Sequence, residues 1–336
     1  MNVVHASGSP RALGRAQGEA FADGIHSACD FYRALAASLD GDFDAMGARG
    51  RAYLDAARPL LPELVQELQG VVEGAGISLD EGLALNCLEE VWDVDSCTTI
   101  VHDRFFIHAE QWYAGHTGIG VVVAEPEDGP AFVSPTCAGF LPSVGMSAAG
   151  FAQGIDSVSA TDERVGIPRV FVSRLALGAP GLAAAVAAAC TKGRAGGYAH
   201  VLASIDRRVV VETSATRHEV SDGGSAHTNH YLLGSLGAVA TEPHEGSRAR
   251  LRRANDLLRR RPPASLEDCT QLLSDHAGGP ETICLHEEGP GASATVFGMA
   301  CDLLTGRMIV SDGPPCSSAW EELAVPASRA AARHVG

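Results

Sequence analysis

The chain has 336 residues, 46% of them hydrophobic, and its 41 acidic against 25 basic side chains give a formal charge of −16. That length and apolar content suit one large domain or two, and the negative balance argues against nucleic acid or an anionic membrane surface as partner. Nine cysteines, an odd number without a C-x-x-C pair, predict free thiols in a reducing compartment and remove the usual zinc and dithiol patterns.

Met1–Arg15 lacks the apolar stretch of a signal peptide. The longest apolar run, Leu182–Cys190, is Ala-rich and too short to span a bilayer, so a soluble cytoplasmic protein is expected. Residues 11–40 predict a helix interrupted by Gly14 and Gly18, with Phe21, Ile25, Phe31, Tyr32 and Leu35 on its apolar side. Pro59–Ala75 predicts a second, striped by Leu61, Leu64, Leu68 and Val71. Gly74-Ala75-Gly76 ends it, and Ser78-Leu79-Asp80-Glu81 reads as a capping box opening a third helix through Leu88.

At Asp95-Ser96-Cys97-Thr98-Thr99-Ile100 the periodicity changes from helical to alternating. Cys97–His102 and Phe105–Tyr113 predict a hairpin turning at His102-Asp103-Arg104. Gly118–Ala124 and Ala131–Ser134 predict a second pair, Gly145–Gly150 a turn between strands, and Phe151–Ser159 a strand. A helix is expected from Gly166-Ile167-Pro168 through Arg174, and another over Leu182–Cys190. Strands follow at Ala199–Ile205 and Val209–Thr213, with one more closed by His227-Thr228-Asn229-His230-Tyr231. Helices come next at Ser247–Arg260 and from a cap near Ser265 to His276, then a hairpin of Ala294–Leu303 with Met308–Ser311. The basic run Arg248–Arg261 reads as one solvated helix face, and only the tail after Ala324 looks loose. The pattern is α+β, with helices covering antiparallel sheets and no internal repeat.

A cysteine opening a strand after a helical segment is the pattern of an N-terminal-nucleophile (Ntn) hydrolase. In such enzymes cleavage before the cysteine frees an α-amine that serves as base for its own thiol. The other reading of Cys97 is a buried small hydrophobe.

Several motifs occur in an order that resembles a known family. They are Cys97-Thr98-Thr99, Gly145-Met146 with Gly150, Arg164-Val165-Gly166-Ile167-Pro168, His227-Thr228-Asn229-His230, the Ser247…Arg252 helix, and Ala294-Thr295-Val296-Phe297 leading to Gly313-Pro314. Together they resemble the acyl-CoA:6-aminopenicillanic acid acyltransferase family of autoproteolytic cysteine enzymes, which includes β-alanyl-amine amidohydrolases. The resemblance runs from about Ser7 to about Pro315. It implies a four-layer αββα Ntn-hydrolase sandwich with an N-terminal helical segment. It also implies cleavage between Ser96 and Cys97, giving a 1–96 prosegment and a 97–336 catalytic core, and amide hydrolysis or acyl transfer through a thioester.

On that resemblance Cys97 is the nucleophile, Asn229 an oxyanion donor and Glu110 the acid of the hairpin. Gln111, Trp112, His227, His230 and Asp156 are supporting or substrate-binding residues. The family's N-E-D-W-like stretch is here His108-Ala109-Glu110-Gln111-Trp112, with Gln111 at the aspartate and Ala109 at the asparagine. The family's arginine before the late strand falls on Ala292, the asparagine of its glycine turn on Ser147, and a strand asparagine on Asp156. The glycine before the nucleophile is Ser96, whose β-carbon narrows the backbone angles open to a strained scissile peptide.

The leading expectation is an autoprocessing amidase or acyltransferase of a small N-acyl compound, without metal or cofactor. An acyl-CoA or an amine is the candidate co-substrate, and the cleaved segments are expected to stay together as a heterodimer, with further self-association open. Hydrolysis is favoured over transfer because no CoA-binding signature is evident. A second expectation is a degenerate Ntn-fold protein that binds a ligand without turnover. A third is a metal hydrolase using His102, His108 and His116.

Overall fold

In the computed structural model the alternating strands form two sheets, packed face to face, with helices on both outer sides. The structure describes residues 1–90, 92, 97–116, 118–242, 245–277, 282–286, 289 and 291–326. Asp95 and Ser96 therefore lie outside the described residues.

The chain opens with a strand, β1 (Asn2–Gly8), that its mixed composition concealed. Five helices follow: α1 (Pro10–Ala20), α2 (Ala22–Ser38), α3 (Phe43–Ala57), α4 (Pro62–Ala75) and α5 (Leu79–Asn86). Gly14 and Gly18 do not interrupt the first of these. A β-carbon at Gly14 would sit 1.9 Å from the Glu67 carbonyl oxygen, and one at Gly18 2.2 Å from that of Val71. These glycines let α1 lie backbone to backbone against α4, and the helix breaks at Phe21 instead. The capping box at Ser78 and Glu81 forms as expected. The helix α3 carries Gly47 and Gly50 on its buried side, which masked its apolar stripe.

The hairpin is β2 (Thr98–His102) and β3 (Phe105–Tyr113). Then come β4 (Ile119–Pro126), β5 (Phe132–Cys137), β6 (Gly145–Ser147) and β7 (Phe151–Val158), so the expected turn at 145–150 contains a short strand. After α6 (Arg169–Leu177) and α7 (Leu182–Ala189) run β8 (Gly197–Ala203), β9 (Arg208–Thr213), β10 (His218–Asp222) and β11 (Ala226–His227). The chain continues through α8 (Glu245–Arg260), α9 (Leu266–Leu273), β12 (Ser293–Asp302), β13 (Arg307–Ser311) and β14 (Trp320–Ala324). The polar β10 and the short β14 are edge strands without a clean alternation of apolar residues, and α9 stops at Leu273 rather than His276.

One sheet has the order β1-β4-β5-β6-β7-β8-β9-β10, and the other β11-β2-β3-β12-β13-β14. Among the described strands only the pairing of β1 with β4 is parallel. Ala254 and Leu258 of α8 and Leu272 and Leu273 of α9 pack on Ile100, Ile107 and Ala109, the outer face of the second sheet. Ala185 and Ala189 of α7 pack on Phe151, Leu202 and Val211, the outer face of the first. The result is a four-layer αββα sandwich. No helix among the described residues is long and apolar enough to cross a membrane.

The two inner faces approach closely at Gly154 of β7. A β-carbon there would lie 2.8 Å from Thr99 Oγ1 and 2.9 Å from His108 Nδ1. Gly154→Ala should therefore overpack the seam and cost about 1–3 kcal/mol. The check is a lowered denaturant midpoint at unchanged slope; an unshifted midpoint would mean the sheets part freely at this point.

Candidate active site

Strand alternation decides which residues meet between the sheets. Thr99 pairs with His108 across the hairpin and with His227 of β11 on its other side. Cys97 and Thr99 on one strand, and His108, Glu110 and Trp112 on the next, are two residues apart and share the inner face. Gln111 therefore turns outward. An amide in a carboxylate's place is explained there: Nε2 donates to the Thr282 and Ile283 carbonyls at 3.0 and 2.9 Å and to Thr295 Oγ1 at 3.2 Å.

Cys97 is buried at the head of β2, and both polar atoms of its backbone are held. Its N–H donates to Asn229 Oδ1 at 2.8 Å. Arg250 Nη1 donates to its carbonyl oxygen and to Thr98 Oγ1, and Arg250 Nη2 to Asn229 Oδ1 at 3.0 Å. Two donors converging on Oδ1 fix the orientation of the Asn229 amide, whose Nδ2 donates to the Ser157 carbonyl at 3.0 Å. The Cys97 thiol faces Glu110 Oε1 at 3.7 Å. Burial, reinforced by the carboxylates of Glu110 and Asp156, holds that thiol well above its ordinary range, so it needs a base to ionise.

Behind Glu110 the buried polar groups form one chain. Glu110 Oε2 meets His108 Nε2 at 3.0 Å, His108 Nδ1 meets Thr99 Oγ1 at 2.9 Å, and Thr99 Oγ1 donates to Asp156 Oδ1 at 3.2 Å. Asp156 Oδ2 faces His227 Nδ1 across 3.4 Å, and His227 Nε2 meets Glu212 Oε1 at 2.9 Å. Glu212 then accepts from the backbone N–H groups of Leu232 and Leu233 at 2.6 and 2.9 Å. Burial alone would lower the pKa of His227, but the flanking Asp156 and Glu212 more than offset it and raise it to about 9. His230 stands apart from this chain and fastens its loop to α8, with Nδ1 at 2.7 Å from Ser247 Oγ.

A pocket of about 50 Å³ opens beside Cys97 and Glu110. Leu88, Trp112, Phe140, Ile155 and Val170 make it largely apolar, and Leu85–Glu89 of the N-terminal segment form one wall. Glu89 is its second acid: Tyr198 donates to Oε2, and burial raises the carboxyl to about 8 despite the opposing charge of Arg169. Trp112 is anchored through its indole N–H on Tyr32, whose hydroxyl also meets His116 Nδ1 at 3.0 Å.

Cys97, Glu110, Asn229 and Trp112 thus come together, and Asp156 and His227 join them through Thr99 and His108. Gln111 and His230 do not reach the pocket, and Ser96 lies outside the described residues. The trio His102, His108 and His116 does not gather: His108 is engaged between Thr99 and Glu110, while His116 packs against Tyr32 and Phe140. The metal-hydrolase expectation, as built on those three histidines, has no cluster behind it among the described residues. Sequence reasoning missed Arg250 by placing it on a solvated face. Its spacing from Ser247, Ala254 and Leu258 puts it on the buried stripe of α8, and that was the available signal. Glu89 and Tyr198 carried none, since the fold alone brings them to the pocket.

A family model described as acyl-coenzyme A:6-aminopenicillanic acid acyl-transferase matches residues 92–312. No curated protein sequence matches the chain. Among solved structures, penicillin V acylase from Agrobacterium tumefaciens is similar at 10% identity and a TM-score of 0.43, covering 68% of this chain and 86% of its own. A mutant conjugated bile acid hydrolase from Clostridium perfringens is similar at 9% identity and a TM-score of 0.38, covering 69% and 98%.

The buried His227 has a testable consequence. Its pKa rises from the ordinary 6.5 to about 9 on folding, so its stabilising contribution is complete below pH 6.5 and is lost as pH rises through 9. The melting temperature should fall across that window, and His227→Gln should flatten the fall. A wild-type melting temperature that is constant or rising between those pH values would contradict a charged His227.

Proposed function

The chain belongs to the acyl-coenzyme A:6-aminopenicillanic acid acyltransferase family, and from that premise we propose that it is an autoprocessing cysteine amidohydrolase or N-acyltransferase of a small N-acyl amide. The observation that carries this reading is the Cys97 thiol, set 3.7 Å from Glu110 with its own backbone N–H and carbonyl held by Asn229 and Arg250.

Maturation comes first. Before cleavage the Cys97 nitrogen is a peptide nitrogen and cannot act as base, so Glu110, backed by His108, takes the thiol proton. The sulfur attacks the Ser96 carbonyl, and the Ser96–Cys97 C–N bond breaks as the nitrogen regains the proton. Water then hydrolyses the resulting thioester, leaving a carboxylate on Ser96 and a free amine on Cys97. That amine, with an ordinary pKa of about 7.7–8.0, is the base for turnover. It takes the thiol proton, sulfur attacks the substrate amide carbonyl, and the proton passes to the departing amine. The acyl group remains on Cys97 as a thioester until water, or an acceptor amine, removes it.

Asn229 keeps one Nδ2 hydrogen beyond the bond to Ser157 and is our candidate oxyanion donor, a role worth about 2.7–4 kcal/mol in a comparable enzyme. The apolar pocket suits a short acyl chain. Segments 1–96 and 97–336 would stay associated after the cut, because β1 belongs to a sheet completed by the later chain, and the Glu67–Arg174 ion pair, at 2.9 Å and buried, joins the two. Free thiols throughout suit a reducing, cytoplasmic setting.

Purified wild-type protein should resolve into pieces of about 10 and about 25 kDa from the 34.8 kDa chain, because the amine base must be unmasked. Cys97→Ala should remain intact and inactive, and Glu110→Gln should mature far more slowly. An active wild-type protein with the mass of the uncut chain would overturn this mechanism. Incubation with a panel of small N-acyl amines, with products followed by mass spectrometry, identifies the substrate. Failure of every amide to turn over while an acylating probe still labels Cys97 would favour the ligand-binding reading.

Glu89 gives this proposal a pH signature. With its carboxyl at about 8 it is neutral at pH 7 and ionises above pH 8, charging an apolar pocket. For an uncharged acyl group KM should rise through that range, and Glu89→Gln should remove the rise. An identical rise in that variant would assign the effect to another group.

A further inference from the structure

On the outer side of the β2–β3 sheet, remote in sequence from the nucleophile, two cysteines and two histidines converge from two connections, α9–β12 and β13–β14. His276 follows α9, Cys284 and His286 precede β12, and Cys316 follows β13. One ligand-capable atom from each lies within 4.8 Å of all the others. His286 Nε2 is 3.4 Å from Cys284 Sγ and 3.2 Å from Cys316 Sγ. The rings of His276 and His286 are 5.2 Å apart, centre to centre.

These spacings have a simple chemical meaning. A tetrahedral zinc ion, with bonds of about 2.3 Å to sulfur and 2.0–2.1 Å to nitrogen, sets an adjacent sulfur and nitrogen about 3.6 Å apart. The observed 3.4 and 3.2 Å are near that edge length, so the ion enters with a small outward shift of side chains. Three of the four residues are exposed, which leaves a path for it. The sequence carries no C-x-x-C spacing, and the fold rather than a local motif assembles the set.

We propose that His276, Cys284, His286 and Cys316 form a Cys2His2 site for one tetrahedral divalent ion, zinc before its neighbours. Two thiol protons leave to solvent as two sulfur–metal bonds form, and the imidazoles bind neutral. With four protein ligands the site is closed and structural. The ion ties the α9–β12 connection to the β13–β14 connection. It bears on the catalytic hairpin through Gln111, which holds the Thr282 and Ile283 carbonyls next to Cys284 and whose own carbonyl oxygen is 4.0 Å from Cys97 Sγ. The Cys284 backbone N–H is itself held by the Asp275 carbonyl at 3.0 Å, beside His276.

The test uses the full chain, purified under reducing conditions and supplied with equimolar zinc. Elemental analysis should give about one zinc per chain, a stoichiometry set by the four-ligand count. Cobalt substitution should give tetrahedral d–d bands with thiolate charge transfer. Cys316→Ser and His286→Ala, both at exposed positions, should each weaken binding at least tenfold while circular dichroism stays native. Chelation should lower the melting temperature of the wild type and not of Cys316→Ser. Zinc well below one per chain, wild-type affinity in both variants, or a Cys284–Cys316 disulfide whose reduction is followed by no metal uptake would each overturn the proposal.

Discussion

Polar groups buried between two sheets are the constraint on which the rest of this structure depends. A sandwich ordinarily fills that space with apolar side chains, because an unpartnered polar group there costs about 1–3 kcal/mol. Here the inner face carries Cys97, Thr99, His108, Glu110, Asp156, His227 and Glu212, and they are tolerated because they form one connected chain. The chain ends on two backbone N–H groups, so its last carboxylate is held as well. A charged imidazole between Asp156 and Glu212 partly neutralises the acids that surround the thiol. The close approach at Gly154 belongs to the same arrangement: without it Thr99 could not bridge from His108 on one sheet to Asp156 on the other.

The backbone of Cys97 is fixed from a different direction. Arg250 is the buried arginine of a helix whose Arg248 and Arg252 pair with exposed acids and whose half-buried Arg253 pairs with Asp275. Its planar fork reaches three acceptors, the Cys97 carbonyl, Thr98 Oγ1 and Asn229 Oδ1, a geometry that a lysine's single ammonium would not reproduce. The family's arginine is absent at Ala292, yet a buried cation still stands beside the nucleophile, brought by α8. Loss of charge at one position in the sequence is therefore not loss of charge at the site.

What could be read from the sequence follows from how local each signal is. The β2–β3 hairpin and the capping box at Ser78 rest on alternation and short spacing, and these were legible, whereas Glu110 was named only through the family resemblance. Gly14 and Gly18 read as helix breaks because helix propensity is local, whereas their role is contact with Glu67 and Val71 more than fifty residues away. Gln111 was assigned to the site by alignment with a family aspartate. Period-two alternation beside Glu110 already required it to face the other way, where it holds a loop instead. The polar edge strand β10 has no fully buried residue, and in β14 Trp320 and Leu323 are no more than half-buried, so neither carries a strong pattern. Glu89 and Tyr198 lie far apart in the chain, and only the tertiary fold brings them to one pocket.

The N-terminal segment is more than a cap awaiting removal. The strand β1 extends the larger sheet, Tyr32 supports Trp112, and Leu85–Glu89 form a wall of the pocket beside Cys97. Asn86 bridges back to the later chain through the Gly139 carbonyl and the Leu141 N–H, at 2.8 and 2.9 Å. The proposed cut before Cys97 would break one covalent bond and none of these contacts, so the pocket would remain a joint product of both segments. What such a cut would change is the nitrogen next to Asn229, from an amide without basicity to an amine with it. The contacts that hold Cys97 in the intact chain would then be the same ones that present the new base to its thiol.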